Sequence, residues 1–534
     1  MNMPQLPSTV ADWAKGAQLF DGLGDFHRAI TTKSKDAQAY FDQGMRLIWA
    51  FNHDESTRSF AKAAELDPAC AICYWGVALT VGPNYNLPVL AEPRAKVAFE
   101  AVGEAKQHEA GAAPVERALV DAIAARYPSA KPLDPSNSGP VLNAFADAMR
   151  GVAKAYPNDV DVQVLFAESM MNLNPWKLWA LDGKPAPGTT EITTTLEAAL
   201  AKDPTHPGAN HYYIHAMEAS AHPEKALPSA NRVGGMMPAA GHLVHMPAHI
   251  QQRVGEYDAA AVSNQKGAEA DKAYLAKTSP IDYYPMYVGH NFQFLAYSTA
   301  MGGRKAETMD AVKRFRDVIP EEVLLSMPGM DWAMTETYAA MERFGLWDEI
   351  LAEKAPNPKL QAMTGGFLYA RASALAAKGR VAEAKTTLAD LEKLAAALPV
   401  DAGAGLNTAH DILGVAIAVA AARIAMAEGR ASDAIKTLED AVAKEDRLAY
   451  DEPADWFVPV RHLLGAQLLA AGRAADAERV YREDLVRHPG NGWALFGLSA
   501  SLKAQHKTAE AARVDAQFKA AWSHADVTIK ASAY

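Results

Sequence analysis

The sequence predicts an all-α chain laid out as an array of helical hairpins, and three observations predict it. In the C-terminal third a six-residue motif recurs, GRVAEA at 379–384, GRASDA at 429–434 and GRAADA at 472–477, each between two Ala/Leu-rich amphipathic segments. A glycine ends the first helix at no steric cost, the acidic residue suits the first turn of the second, and the alanine permits close helix contact. Helical segments also stop at Asp67-Pro68, Asp203-Pro204 and His488-Pro489, where proline cannot continue the ladder. Finally, no alternation of apolar and polar residues runs long enough to build a sheet.

Taken in order, residues 1–36 are expected to cap the apolar face that the first hairpin would otherwise expose. The first legible pair covers 37–67 and the last 456–488, with about nine or ten hairpins in all, in keeping with a helical-repeat period of roughly 34 residues. Variants of the turn motif stand at Gly255 and Gly303. The Pro/Gly/Ser-rich stretches 129–140, 181–190 and 353–359 read as long inter-helix loops. A soft boundary near 320–360 divides one continuous array into an irregular half, 37–320, and a more regular half, 321–534.

The totals exclude several classes. The 534 residues carry a formal charge of −11 without a cluster of Lys or Arg, so the electrostatic footprint of a nucleic-acid or anionic-lipid partner is missing. Two cysteines, Cys70 and Cys73, cannot form a disulfide framework for a chain of this size. The lone CxxC has neither the second pair of a zinc site nor a βαβ context, and reads as two small buried residues. No uninterrupted apolar run reaches the ~18 residues of a membrane span. The first residues lack the basic and apolar regions of a secretory signal, so the chain as written is expected in the cytoplasm, or in the periplasm if a signal had been removed.

The chemistry concentrates between His206 and His290, where eight of the sixteen histidines lie. His211, His215 and Glu218 stand at i, i+4, i+7, and His242, His245 and His249 at i, i+3, i+7. On a helix turning about 100° per residue each set falls within a wedge of roughly 60°. Neutral imidazoles with a carboxylate form the facial set that binds Zn, Cu or Fe and leaves a position open for water or substrate. Pro247 complicates the second set: either the helix kinks there, or Pro247 opens a new helix and His242 and His245 lie on the preceding turn. His290, in YPMYVGHNFQF, is expected to complete the site, with Tyr283, Tyr284, Tyr287 and Phe292 as an aromatic wall suited to an apolar or aromatic molecule. The competing reading of each of these residues is ordinary: a polar helix face, or a core histidine satisfied by a carbonyl.

Other candidates stand further off. His206 and His222 precede prolines at hairpin turns and read as residues near helix C-termini, favoured there by the dipole and the free carbonyls. Glu168 is a candidate general base or proton shuttle shared with Glu218, and Tyr287 a candidate catalytic group beside them. His27, His53 and Asn84 are weaker candidates for the same cavity, since Asn52 to Glu55 reads first as a helix boundary.

The blocks FDQGMRLIWAFNHDE, ACAICYWGVAL, NPWKLWALDGKPAPGTTEI, HPGANHYYIHAMEAS, GHLVHMPAHIQQRVGEYDAA and GHNFQFLAY together resemble a group of bacterial tetratricopeptide-repeat proteins of similar length, over nearly the whole chain. The resemblance implies a right-handed α-solenoid and brings no reaction with it. HYYIH and HMPAH are not part of the generic repeat signature, whose positions are packing residues. The expected function is therefore a metal-dependent enzyme on a repeat scaffold, holding one or two ions through His211, His215, Glu218, His242, His245, His249 and His290. Zinc or copper is favoured over iron by the imidazole-rich set, with hydrolysis expected at zinc and oxidation at copper or iron, on a small-molecule substrate. The rivals are a scaffold that takes a peptide or protein on its concave surface, and a metal carrier or sensor, for which Met217, Met236, Met237 and Met246 lie among the histidines.

Overall fold

The computed structural model describes residues 6–278, 284–327 and 329–534; Tyr283 of the expected aromatic wall lies outside them. Among the described residues the regular structure is helical, apart from one short antiparallel hairpin, Gly403–Ala404 with Asn407–Thr408, and three isolated bridges. The chain forms two compact units, Met1–Ile250 with Lys266–Tyr287, and Gln251–Gln265 with Val288–Tyr534.

The recurrent motif does what its chemistry predicts. Gly379, Gly429 and Gly472 all take positive φ, between 74° and 75°. In each, the amide after the glycine reaches back to a carbonyl five residues earlier, as in Arg380 to Leu375 at 2.9 Å and Arg430 to Ala425 at 2.9 Å, the Schellman closure of a helix end. The following arginine pairs with the acid three residues on: Arg380 with Glu383, Arg430 with Asp433, Arg473 with Asp476. Ala384, Ala434 and Ala477 are fully buried, which is the close helix contact that alanine allows. These helical hairpins make up most of the second unit.

One helix of that unit, Ala409–Ala427, is long and apolar enough to cross a membrane by length and composition. Asp411 and Arg423 interrupt the apolar run that the sequence test looked for, and 67% of its apolar window is buried within the protein, as for a core helix.

The first unit is less regular but packs each helix on the next, from Lys35–Trp49 and His53–Leu66 through Ala71–Thr80, Glu92–His108, Pro114–Arg126, Gly139–Ala155, Val160–Met171 and Thr189–Lys202 to Pro207–Met217. Side-chain caps start several of them: Ser34 accepts from Ala37 N, Asn52 from Glu55 N and Asp159 from Val162 N. Its core is built around Phe60, whose ring lies so near Gly44 and Gly76 that a Cβ at either would stand 2.6 Å or 2.4 Å from it. The segment before the first long helix is tied down by polar contacts. Phe20 N donates to Gln43 Oε1, Arg46 Nε to Phe26 O, and Arg28 pairs with Asp159 and Asp161.

Cys70 and Cys73 are buried, as expected, but they are bonded to each other rather than free. Cys70 sits at the N-cap of Ala71–Thr80, where the turn brings residues three apart together.

Candidate metal centre

The centre lies in the first unit, on two helical segments set against the end of a third. Pro207–Met217 starts at His206, whose Nδ1 accepts from Ala209 N while Nε2 meets Asp161 Oδ1 at 2.9 Å; it caps the start of this helix, not the C-terminal end expected of it. His222 is an exposed turn residue beside Glu224. The helix lies against Trp49 because Gly208 lets it: a Cβ there would stand 2.4 Å from the indole.

That approach brings His211 Nδ1 to 2.6 Å from Trp49 O. A carbonyl only accepts, so Nδ1 carries the proton and the Nε2 lone pair is left facing inward. One turn on, His215 Nδ1 stands 3.1 Å from Glu218 Oε1, which fixes the same tautomer and again leaves Nε2 as the free lone pair.

The second segment is broken. Gly241–His245 and Pro247–Arg253 are separate helices, so of the two alternatives Pro247 takes the one in which it opens a new helix. His242 is carried in by Gly241, where a Cβ would collide with Asp271 Oδ1 at 2.0 Å.

One ligand atom each from His211, His215 and His242 lie within 4.8 Å of one another. All three residues are at most 2% exposed. His211 Nε2, His215 Nε2 and both nitrogens of His242 have no hydrogen-bond partner. Leaving buried polar atoms unsatisfied costs about 1–3 kcal/mol each, so their convergence needs a cause. Burial, reinforced by the neighbouring imidazoles, pushes the His211 and His242 imidazoles well below the usual histidine range. Burial lowers His215 too, against the opposing pull of Glu218. Three neutral imidazoles offering lone pairs to one point are the donor set of a transition metal, and the residues fit such an ion.

Glu218 is placed beside this set. Its second oxygen lies 2.8 Å from His249 Nδ1, and His249 Nε2 meets His245 Nε2 at 2.9 Å. Because the carboxylate takes protons from both Nδ1 atoms, His249 must accept at Nε2 and His245 donate. His215, Glu218, His249 and His245 thus form one directed chain. Burial alone would raise the Glu218 carboxyl, but the two imidazoles outweigh it and hold the group down at about 2.

Aromatic rings close the centre. Phe51 stacks nearly parallel on His215 and His242, with centroids at 5.5 Å and 5.7 Å, and lies 4.4 Å from His211. Tyr85 and Trp176 stand 5.4 Å and 5.7 Å from His215. Tyr287 packs 4.4 Å from His242, and Asn86 Nδ2 donates to its hydroxyl. Phe51 and Trp176 are two of the three non-glycine residues with positive φ among the described residues, 53° and 60°, a conformation a bulky side chain adopts at a cost. Neither stood out in the sequence, since nothing in an aromatic residue's identity announces a left-handed backbone.

The remaining sequence candidates are placed as follows. His53 Nδ1 faces Phe51 O, its ring 5.3 Å from Phe51, and burial holds its pKa down at about 3. Asn84 is a turn residue, its Oδ1 accepting from Asn86 N and Leu87 N. His27 pairs with Asp42 and lines a separate cleft of about 520 Å³ with Gly24, Asp161 and His206. Glu168 is buried, accepts from Asn172 and lies in the field of Arg126, with no hydrogen bond to the histidine set. His290 belongs to the second unit, on the helix Tyr284–Met301.

No protein-family model matches the chain, and no curated protein does. Among solved structures it is similar to a human IFIT1 dimer with m7Gppp-AAAA, at 12% identity and TM-score 0.33 over 84% of this chain and 90% of that one. It is also similar to the APC/C hetero-tetramer Cut9–Hcn1, at 11% and 0.33 over 91% and 76%, and to yeast Tom70, at 12% and 0.31 over 90% and 97%. Likenesses at this identity and score carry nothing about the site, whose reading rests on its own residues.

Proposed function

We propose that the protein is a metal-dependent enzyme whose ion is held by the Nε2 atoms of His211 and His215 together with His242. The observation that carries this is the set of buried, unpartnered imidazole nitrogens, two of them with the tautomer fixed from behind by Trp49 O and Glu218. Such backing orients metal-binding histidines and raises their basicity. Three protein ligands leave a coordination position for water or substrate, the arrangement of catalytic rather than structural zinc sites. Zinc or copper suits three neutral imidazoles best, with iron third. A bound ion there would acidify water and polarise a substrate oxygen if zinc, or support oxidation if copper or iron.

The chain's own groups supply the rest. Glu218 positions His215 and His249 and carries a negative charge directly behind the His215 imidazole. Tyr287, against His242, presents its hydroxyl toward Asn86, where it can donate to or accept from a bound molecule. Phe51, Tyr85 and Trp176 exclude bulk water and shape the space for a small, partly apolar substrate.

Elemental analysis of full-length, tag-free protein tests the proposal. About one equivalent of transition metal is expected in the wild type, lost in His242→Ala and retained in His488→Ala, which alters an unrelated helix end. Less than about 0.2 equivalents after reconstitution sinks the metal reading. A visible absorption band assigns copper or iron, and its absence with full occupancy assigns zinc.

A further inference from the structure

Arg126 is buried without an ionic partner. It ends the helix Pro114–Arg126 at 1% exposure, donates through one terminal nitrogen to Pro83 O, and has no hydrogen bond at Nε or Nη1. The other buried arginines of this unit are matched, Arg94 to Asp54 and Arg58 to Glu55. An unmatched guanidinium out of water is costly, and proteins keep one where something anionic is to be met. The rings of Phe145 and Tyr127, 5.1 Å and 5.6 Å from it, hold the guanidinium in place without neutralising it.

Its surroundings are equally unfinished. Tyr127 Oη, Glu168 Oε2 and Asn172 Oδ1 are buried and have no hydrogen-bond partner, while Asn172 Nδ2 donates to Glu168 Oε1 at 2.6 Å. Tyr127 and Glu168 both lie in the field of Arg126. Gly82 lets the phenol pack close to the backbone, since a Cβ there would stand 1.8 Å from Tyr127 Oη and 3.3 Å from Arg126 Nη1. The unpartnered donors are the Nε and Nη1 groups of Arg126 and the Tyr127 phenol, and the unpartnered acceptors are Glu168 Oε2 and Asn172 Oδ1. The ligand that completes this inventory has an anionic acceptor beside a hydrogen-bond donor.

We propose that Arg126, Tyr127, Glu168 and Asn172 form a binding subsite for a small 2-hydroxy or 2-amino carboxylate, its carboxylate on Arg126 and Tyr127 and its donor on Glu168 and Asn172. Beside Arg126 and the Glu168 carboxyl, a monoanion adds one negative charge to the buried site, whereas a phosphate dianion would add two. As the recognition end of the substrate, the assignment rests on the metal-enzyme reading. The link is the loop to which Arg126 is bonded at Pro83, because two residues later it carries Tyr85, packed on His215.

The test is calorimetric titration of the full-length chain with glycolate, acetate and methyl glycolate at constant ionic strength, with and without prior chelation. Glycolate is expected to bind with a millimolar or tighter Kd, which is within reach of a five-atom ligand. Acetate, which lacks the donor, should bind about 10-fold more weakly, and methyl glycolate should show no saturation. Arg126→Met should weaken glycolate at least about 30-fold, and Tyr127→Phe, which keeps the ring, about 5-fold; both should hold as much metal as the wild type. Absence of glycolate binding to the wild type overturns the subsite, as does equal binding by a folded Arg126→Met. If Arg126→Met fails to fold, Tyr127→Phe decides, and unchanged glycolate affinity in it refutes the assignment. Glycolate binding to chelated protein that never takes up metal would leave the subsite standing and refute only the enzyme reading.

Discussion

Replacing Glu218 by glutamine separates two roles that the sequence could not. As a metal ligand its loss would remove one donor from the ion. As placed here, the carboxylate receives protons from His215 Nδ1 and His249 Nδ1, at 3.1 Å and 2.8 Å. A glutamine keeps one acceptor oxygen and puts an N–H₂ against the other imidazole. If that group faces His215, the ring must take the opposite tautomer, which protonates Nε2 and costs the ion one of three donors. If it faces His249, Nε2 of that ring becomes protonated and confronts the Nε2–H of His245, 2.9 Å away. The glutamine will choose the cheaper conflict, so the expected loss of metal affinity is that of an orienting partner, about 10- to 100-fold, or roughly 1.4–2.8 kcal/mol. His211→Ala, which deletes a donor, should cost considerably more. Competition against a chromogenic chelator at fixed pH measures both. An unchanged affinity in Glu218→Gln would mean that the tautomers are not set as argued, and a loss equal to that of His211→Ala would return Glu218 to the ligand set.

Gly208→Ala drives a Cβ to 2.4 Å from Trp49 and moves the carbonyl that orients His211; a loss of about 1–3 kcal/mol by denaturant titration and weaker metal binding are expected together, and stability lost without metal loss would uncouple Trp49 from the site. Gly429→Ala meets no neighbour within 4 Å but is strained at φ 74°, so it should cost about 1 kcal/mol and leave metal content untouched. Burial pushes the Glu336 carboxyl up to about 8, against the hydrogen bond from Gln293. The folded state thus holds a proton that the unfolded state releases near pH 4.5, and this contribution to stability is fully present below about 4.5 and lost as pH rises through about 8. Glu336→Gln should therefore flatten the fall in unfolding free energy across that window, by up to about 5 kcal/mol; an unchanged slope would show the carboxyl ionised in the fold.

The fold was legible because its signal is local and repeated. A glycine, an acid and an alanine at fixed offsets are each demanded by the turn they make, and three copies cannot be an accident of composition. The histidine pair of Pro207–Met217 was legible for the same reason, since i, i+4 spacing on a helix is a statement about geometry. The second set, His242, His245 and His249, was only half so: Pro247 left two courses open, and the break between Gly241–His245 and Pro247–Arg253 decided between them. What the spacing could not say is which nitrogen faces which way. That depends on Trp49 O, some 160 positions earlier in the chain, reaching His211 through the gap at Gly208. Arg126 escaped notice because a lone arginine at a helix end reads as a dipole partner, and only its burial without a carboxylate makes it unusual. The cysteines are a smaller case: CxxC has neither the second pair of a zinc site nor a βαβ context, and neither test speaks to a local disulfide, which the N-cap turn makes by bringing the two sulfurs together.

The placement of the site follows from how a hairpin array buries itself. Packing residues on each helix of the first unit are spent on its neighbours, and a polar side chain survives inside only if its hydrogen-bonding capacity is met. His206, Asn210 and Asn491 meet theirs on the backbone or a nearby acid, and cost nothing unusual. His211, His215 and His242 do not, although His211 and His215 each satisfy one nitrogen with a well-placed partner, and the rings of Phe51 and Trp176 are held against them in a backbone conformation that an ordinary core would avoid. A core selected for stability alone would relieve both costs by substituting leucine for the histidines and by relaxing the two turns. That both are retained at one point, with the proton positions arranged so that two lone pairs meet a third imidazole, is what a bound cation explains and packing does not.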